Sequence, residues 1–433
     1  MLSAISYLPV MAETMSGPLL TGIDVGTTKI CTLVSEMVGD GDLEIIGVGL
    51  EPARGMRKGV VVNIDEASQA IAASVDKAER TSGYEIGRAL VSLAGAHISS
   101  VNSHGAVGVA RGHRGIDQED IERALDAAQA IAIPHNREIL HVIPRAFIVD
   151  GHDGIRHPIG MHGFRLEVEA HIITAAKTSV QNLTKCVENA GVQVESYVLN
   201  PLASAEVVLN ETEKEMGVVC CDIGGGMTDL AVYIDGNVWH TMVIAVGGNH
   251  LTSDVAHGLR LPADVAEHLK IEHGQARRVD VGSREYFTVR PFGAERSVQV
   301  NAGDLAEIIE ARVEELFSLI LQEVKRTGYD GLLPAGIVLT GGTARLPGLR
   351  TVAGDVLNMP ARVAQPDNLR GLVDALDGPA YSTSVGLLQW AAREAMEDER
   401  RPAAKNGKKI YQQGQPIEVN IGRGLDWFKR LLP

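Results

Sequence analysis

Two stretches far apart in the chain repeat one arrangement of apolar and polar positions. In the first, Thr21-Gly22-Ile23-Asp24-Val25 and Ile30-Cys31-Thr32-Leu33-Val34 flank an Asp-x-Gly-Thr-Thr bend, and Gly39-Asp40-Gly41-Asp42 precedes Leu43 to Gly49. Apolar runs of this length bounded by glycine and aspartate predict strand, tight bend, strand, turn, strand. In the second, Val218 to Ile223 leads into Gly224-Gly225-Gly226-Met227-Thr228-Asp229, and Asp235-Gly236-Asn237 turns the chain back into Val238 to Val246. Two similar hairpins imply two similar lobes. A third run, Ile337-Val338-Leu339-Thr340, has the pattern of a buried strand and ends in Gly341-Gly342-Thr343 before a helix.

Between the two hairpins, residues 50–216 read as a mixed block holding a small inserted α+β unit. Its clearest element is an amphipathic helix with Ile121, Leu125, Ala128 and Ile131 on one face. Asp117 is placed to cap it, with Asp120 three residues on. After Arg401-Pro402 the chain turns polar, as a flexible linker would. It ends in a segment where Trp427, Leu431, Phe428, Ile421, Leu432 and Leu425 share a sector of roughly 160° at 100° per residue. Lys429, Asp426, Arg430 and Arg423 fill the rest.

Composition narrows what such a chain can do. With 433 residues it suits two or three domains, and 45% hydrophobic with 22% charged positions is the balance of a folded protein. A net charge of −15 argues against a large nucleic-acid surface. Residues 401–433 run against that trend: seven Lys or Arg face only Glu418 and Asp426. Basic residues beside Trp and Phe on a linker-tethered stripe suit an anionic bilayer interface, and the alternatives are a fold-back helix or a partner peptide. No uninterrupted apolar stretch approaches the roughly twenty residues that cross a bilayer. Cys31, Cys186, Cys220 and Cys221 have no metal-site spacing and read as buried thiols, the adjacent pair pointing to opposite faces of a strand. The histidines at 135, 141, 152, 157 and 162 fit no paired-ligand pattern, so no transition metal is assigned.

The chemistry of the two bends explains their residue types. Glycines at 26, 224, 225 and 226 let backbone N–H groups approach phosphate oxygens, while Thr27, Thr28 and Thr228 offer hydroxyls and Lys29 a direct cation. An aspartate inside a phosphate loop repels the ligand unless a cation lies between them. Asp24 and Asp222 therefore predict Mg²⁺, held through its waters. Neither a P-loop nor a strand-linked GxGxxG is present. Gly341, Gly342 and Thr343 would let an adenosine lie flat against backbone.

In order along the chain, these three segments resemble the phosphate-1, phosphate-2 and adenosine motifs of the actin, DnaK-type chaperone and sugar-kinase superfamily. The likeness implies an α/β fold of two duplicated ribonuclease H-like lobes around an ATP and Mg²⁺ site, with Glu267 and Lys270 beside the adenosine. Gly55-Met56-Arg57-Lys58-Gly59, Leu93-Ala94-Gly95-Ala96-His97, His141-Val142-Ile143-Pro144 and Gly247-Gly248-Asn249-His250 narrow the resemblance to the FtsA family of actin-like bacterial division proteins. On that likeness, residues 1–19 are an extension, 20–96 with 175–216 subdomain 1A, 97–174 an inserted subdomain 1C, 217–249 with 331–395 subdomain 2A, and 250–330 subdomain 2B. Residues 396–420 are then a linker and 421–433 a membrane-targeting amphipathic helix, with Ile421, Leu425, Trp427, Phe428, Lys429, Arg430, Leu431 and Leu432 at the membrane. The resemblance further implies self-association into filaments, FtsZ bound through 2B, downstream division proteins through 1C, and a place on the cytoplasmic face of the cell membrane at the division site. Where efficient hydrolases of the superfamily carry Gln or Glu to orient water, this chain has Asn200, one methylene shorter, which implies slow hydrolysis. A pilus-assembly or shape-determining scaffold, or a small-molecule kinase on the same fold, stays open at this point.

Overall fold

The computed structural model describes residues 17–400, apart from 40, 110–114, 131–132, 283–284 and 294–295 and the side chains of 397–400. The turn residue Asp40, the helix-face residue Ile131, most of the N-terminal extension and everything proposed for residues 401–433, including the amphipathic helix, lie outside the described residues.

The first lobe begins with β1 (Leu19–Val25), β2 (Lys29–Val38) and β3 (Asp42–Pro52), an antiparallel meander. A short hairpin, β4 (Met56–Arg57) and β5 (Val60–Val61), leads to helix α1 (Ile64–Ser82) and then β6 (Arg88–Leu93). Asn63 caps α1 by accepting from the amides of Asp65 and Glu66. The chain then enters the inserted unit: β7 (Ser99–Gly108), α2 (Gln118–Gln129), β8 (Arg137–Val149), β9 (His152–Ile155) and β10 (Arg165–Ala176). Its four strands pair in the order β7-β10-β8-β9, and α2 buries Ile121, Leu125 and Ala128 against them. Asp117 and Asp120 close a reciprocal capping box at the start of α2, as their spacing predicts.

Helix α3 (Lys177–Asn189) and β11 (Gln193–Leu199) return the chain to the first lobe, and α4 (Asn200–Val208) and α5 (Glu211–Met216) carry it to the second. There β12 (Val218–Ile223), β13 (Thr228–Ile234) and β14 (Asn237–Ile244) repeat the meander. Asp235 and Gly236, both at positive φ, form the two-residue turn that Asp-Gly predicts. Helices α6 (Gly248–Leu259) and α7 (Ala263–His273), the hairpin β15 (Tyr286–Val289) with β16 (Val298–Asn301), and the long α8 (Ala302–Thr327) follow. The lobe closes with β17 (Gly336–Thr340), α9 (Leu349–Leu357) and β18 (Ala361–Val363); β19 (Arg370–Gly371) and α10 (Ser382–Arg400) rejoin the first lobe.

The duplication is visible in strand order and direction. The first sheet runs β11-β6-β1-β2-β3-β19, the second β18-β17-β12-β13-β14. From the outermost meander strand inward, both read antiparallel, antiparallel, parallel, parallel. Cys220 joins the core shared with α4 and α10, while Cys221 joins the opposite core under α8 and α9, so the adjacent thiols do point apart. All four cysteines are free and buried, and burial pushes the Cys31 thiol up to about 11. Among the described residues no helix is long and apolar enough to cross a membrane.

Candidate functional site at the facing glycine bends

Each meander turns its first corner in the same way. The Gly26 N–H donates to the Lys29 carbonyl (3.0 Å), and the Gly224 N–H to the Met227 carbonyl (2.9 Å). The two corners then meet. A methyl group placed on Gly225 would come within 2.3 Å of Thr28 Cγ2, and one on Gly226 within 2.8 Å of Thr27 Oγ1. Only glycine permits this approach of one lobe's backbone to the other's threonines.

The aspartates that precede the bends are buried and anchored from elsewhere in the chain. Asp24 accepts from Ser92 (2.9 Å) on β6 and Ser384 (2.8 Å) on α10. Asp222 accepts from Ser204 (2.6 Å) on α4 and Thr383 (2.9 Å) on α10. The start of α10 thus holds both carboxylates, with Thr383 serving one lobe and Ser384 the other. Burial pushes the Asp222 carboxyl up, its two hydroxyl donors pull it down, and the Asp24 charge raises it further. Directly across the strand pair from Asp222 sits Asp229, also buried. Its Oδ1 has no hydrogen-bond partner among the described residues, and burial with the charges of Asp222 and Asp24 raises its pKa well above the ordinary carboxylate range.

The cation nearest these acids is Lys29. Its Nζ is 3.9 Å from Asp24 Oδ2 and 4.2 Å from the centre of the Tyr381 ring, and it makes no hydrogen bond among the described residues. Asn200 opens α4 one turn before Ser204, on the same side of the helix, and its Oδ1 is likewise buried without a partner. Thr228 takes a different role. It is fully buried and its hydroxyl donates to the Val246 carbonyl (2.8 Å), so it fastens β13 to the end of the returning strand.

The remaining predicted residues gather beside the second bend. Thr343 Oγ1 donates to the Gly224 carbonyl (3.0 Å), and Lys270 Nζ donates to Glu267 (2.6 Å), Thr252 (2.9 Å) and the Gly248 carbonyl (3.2 Å). The amides of Gly248 and Asn249, opening α6, donate to the Gly224 and Gly225 carbonyls (3.0 and 2.7 Å). Gly341, at φ +87°, lies where a methyl group would be 2.3 Å from Asp222 Oδ1. Gly342 begins the short turn that carries Thr343.

Glycine corners with a lysine that makes no hydrogen bond among the described residues, beside buried carboxylates in excess of nearby cations, suit a chain of phosphates accompanied by a divalent cation. The orphaned Lys29 Nζ would meet phosphate oxygen, Asp24 and Asp222 would face the cation's waters, and the orphaned Asn200 Oδ1 would meet a water or ligand donor. Sequence reading passed over Ser92, Ser204, Thr383, Ser384 and Asp229. Only two traces of them exist in the pattern: the Ser382-Thr383-Ser384 run at the head of an apolar helix, and the place of Asp229 just after the bend, which the register puts directly opposite Asp222.

Comparison with known proteins gives one answer. Residues 219–386 match the family described as cell division protein FtsA, and residues 95–174 match the SHS2 domain inserted in FtsA. The chain is 43% identical to the cell division protein FtsA of Pseudomonas aeruginosa, over 89% of this chain and 92% of that one. It is 40% identical to that of Bacillus subtilis (91% and 88%) and 36% identical to that of Escherichia coli K12 (92% and 97%). Among solved structures it resembles the PilM–PilN type IV pilus biogenesis complex (TM-score 0.62, 15% identity, 85% of this chain and 97% of that chain). It also resembles MreB5 of Spiroplasma citri bound to ADP (TM-score 0.54, 13% identity, 88% and 99%). These two likenesses show the fold, an actin-like one, and the inserted unit is the part that the SHS2 match covers.

Proposed function

The chain belongs to the FtsA family of cell division proteins, and from that premise we propose that it binds ATP with Mg²⁺ between its lobes, assembles into filaments, and tethers FtsZ filaments to the cytoplasmic membrane. The single observation that carries the nucleotide part is the meeting of the two bends, with Gly225 against Thr28 and Gly226 against Thr27. A ligand that bonds both corners fastens the lobes together. ATP on this reading is a conformational ligand more than a fuel. Gly26, Thr27, Thr28 and Lys29 hold one part of the phosphate chain and Gly224, Gly225 and Gly226 another. Asp24 and Asp222 meet the ion through water, and Glu267, Lys270, Gly341, Gly342 and Thr343 border the nucleoside. Mg²⁺ supplies charge neutralisation of the phosphates. Asn200 orients water poorly, so hydrolysis is slow.

Residues 97–174 meet downstream division proteins and residues 250–330 meet FtsZ, each as the family likeness supports. The membrane part rests on the sequence of Ile421 to Leu432. Each large apolar side chain there is worth at most about 1.5–3 kcal/mol when buried, while ordering each residue costs about 1–2 kcal/mol. One such segment is a reversible anchor, and many on a filament bind through effective concentration. The test is sedimentation with anionic liposomes of the intact chain and of one ending at Asn420, each with and without Mg-ATP. Pelleting by the intact chain alone, increased by nucleotide, is the expected result. Equal pelleting of both chains would remove the tail from the membrane reading.

A further inference from the structure

The inserted unit is continuous in chain with the first lobe and meets the second lobe only by contact. To the first lobe it is joined through the chain at both ends and through a shared apolar core in which Val142, Ile143 and Phe147 pack with Val198, Leu199 and Leu202. Buried His141 reinforces that junction, its Nε2 accepting from the Leu199 amide (3.2 Å). The same core continues into the second lobe through Tyr233 and Val238, and at β14, the outermost strand of that sheet among the described residues, a set of polar contacts is added.

Alternation along β10 sets this up. Leu166, Val168, Ala170 and Ile172 are fully buried among the apolar residues of the unit's core, while Glu167, Glu169 and His171 take the other face. His171, with no exposed surface, bridges the lobes: Nδ1 lies 2.7 Å from Asn102 Oδ1 on β7, and Nε2 lies 2.9 Å from Thr241 Oγ1 on β14. Beside it, Ser100 donates to the Thr241 carbonyl (3.0 Å), covering part of the outer edge of β14. Arg145 of β8 lies over the Trp239 ring (4.3 Å to its centre) and donates to the Tyr329 hydroxyl (3.2 Å). The Trp239 and Tyr329 rings meet edge to face, 5.6 Å apart. The Asn237 side-chain amide donates to the Arg145 carbonyl (3.4 Å), and Arg156 pairs with Glu215 (2.8 Å) and with Asp235 in the turn before β14 (3.4 Å).

We propose that this polar contact between the inserted sheet and β14 is a latch that couples the nucleotide cleft to the inserted unit. The proposal rests on the reading of the cleft as a nucleotide site. In the arrangement described, the glycine bends touch across the cleft and the latch is made, so both belong to one disposition of the lobes. A ligand bonding both bends favours that disposition and therefore the latch. By linkage, the latch must favour the ligand to the same degree. Chain continuity at both ends fixes the inserted unit to the first lobe. The hydrogen bonds to β14, made between groups that water can also satisfy, are the ones that rotation of the second lobe would exchange for solvent. Nucleotide state would thereby control whether this face of the inserted unit is covered or open to a partner.

The test uses the full chain. Hydrogen–deuterium exchange is followed in residues 99–108, 165–176 and 237–244 with and without Mg-ATP, and nucleotide affinity is titrated for the wild type, Arg145→Ala and Ser100→Ala. Nucleotide should slow exchange in all three segments. Arg145→Ala, which alters no residue assigned to the nucleotide, should weaken Mg-ATP binding by about 5-fold or more, in line with ordinary coupling energies, and Ser100→Ala by less in the same direction. If Arg145→Ala does not fold, the Ser100→Ala titration and the wild-type exchange decide. Wild-type affinity in a folded variant, or unchanged exchange in these strands on nucleotide binding, overturns the latch alone. A wild-type chain that binds no Mg-ATP overturns the cleft reading and the latch with it.

Discussion

The two glycine bends share a backbone and differ in charge. Each closes an amide onto the carbonyl three residues on, and each follows a buried aspartate held by two hydroxyls. Yet the first bend carries Lys29 beside Asp24, whereas the second sets Asp229 beside Asp222 with no cation of its own. The same strand arrangement occurs twice, and the residues it carries differ in charge. On the proposed reading, the first corner would hold an anion and the second would need a cation between itself and that anion.

The largest expected effect breaks the geometry that both corners share. Gly225→Val should lower Mg-ATP affinity about 10- to 100-fold, because its side chain must displace Thr28, and overpacking of this kind costs about 1–3 kcal/mol. Gly224→Ala, whose methyl group meets only the Met227 carbonyl at 3.3 Å, should cost far less. Equal losses for the two substitutions, read by titration with a fluorescent nucleotide, would mean that the bends do not meet over the ligand.

The next effect separates the corners by charge. Lys29→Ala should weaken nucleotide binding about tenfold with Mg²⁺ or with chelator present, since it removes a charge-assisted bond worth about 1.5–3 kcal/mol. Asp222→Asn should weaken binding only when Mg²⁺ is present, and should narrow the difference between Mg²⁺ and chelator. The same response from both variants would erase the division of labour.

The smallest effect concerns stability. The folded-state pKa of Asp229 is raised above its unfolded value near 4, so its ionisation opposes folding as pH rises above that value. Asp229→Asn should therefore raise Tm at pH 7, by about 1–3 kcal/mol of stability if the penalty is that of one poorly paired buried polar group. The gain should shrink as pH falls toward about 4 and vanish below it, where the wild-type carboxyl is protonated in both states. A variant less stable than wild type at pH 7 would show that Asp229 carries its charge with a partner.

Much of this was legible along the chain because its signals are local. Strand runs, the Asp235-Gly236 turn, the capping of α2 by Asp117 and the opposed thiols of Cys220 and Cys221 each depend on residues within a few positions of one another. The resemblance to a family was likewise read from local motifs, and the comparison extends it over 89% of the chain. What the sequence could not disclose lies in contacts of long separation. Ser384 reaches Asp24 across 360 positions, Thr383 reaches Asp222 across 161, and Arg145 meets Tyr329 across 184. Nor could residue type reveal that Thr228 gives its hydroxyl to Val246, since a buried donor takes the acceptor that packing brings to it. Backbone periodicity and turn chemistry are encoded residue by residue, so the sequence determined the elements and the two glycine corners. Which hydroxyl fixes which carboxylate, and which face of the inserted sheet lies on β14, depends on how those elements pack in three dimensions, and only the tertiary structure decided it.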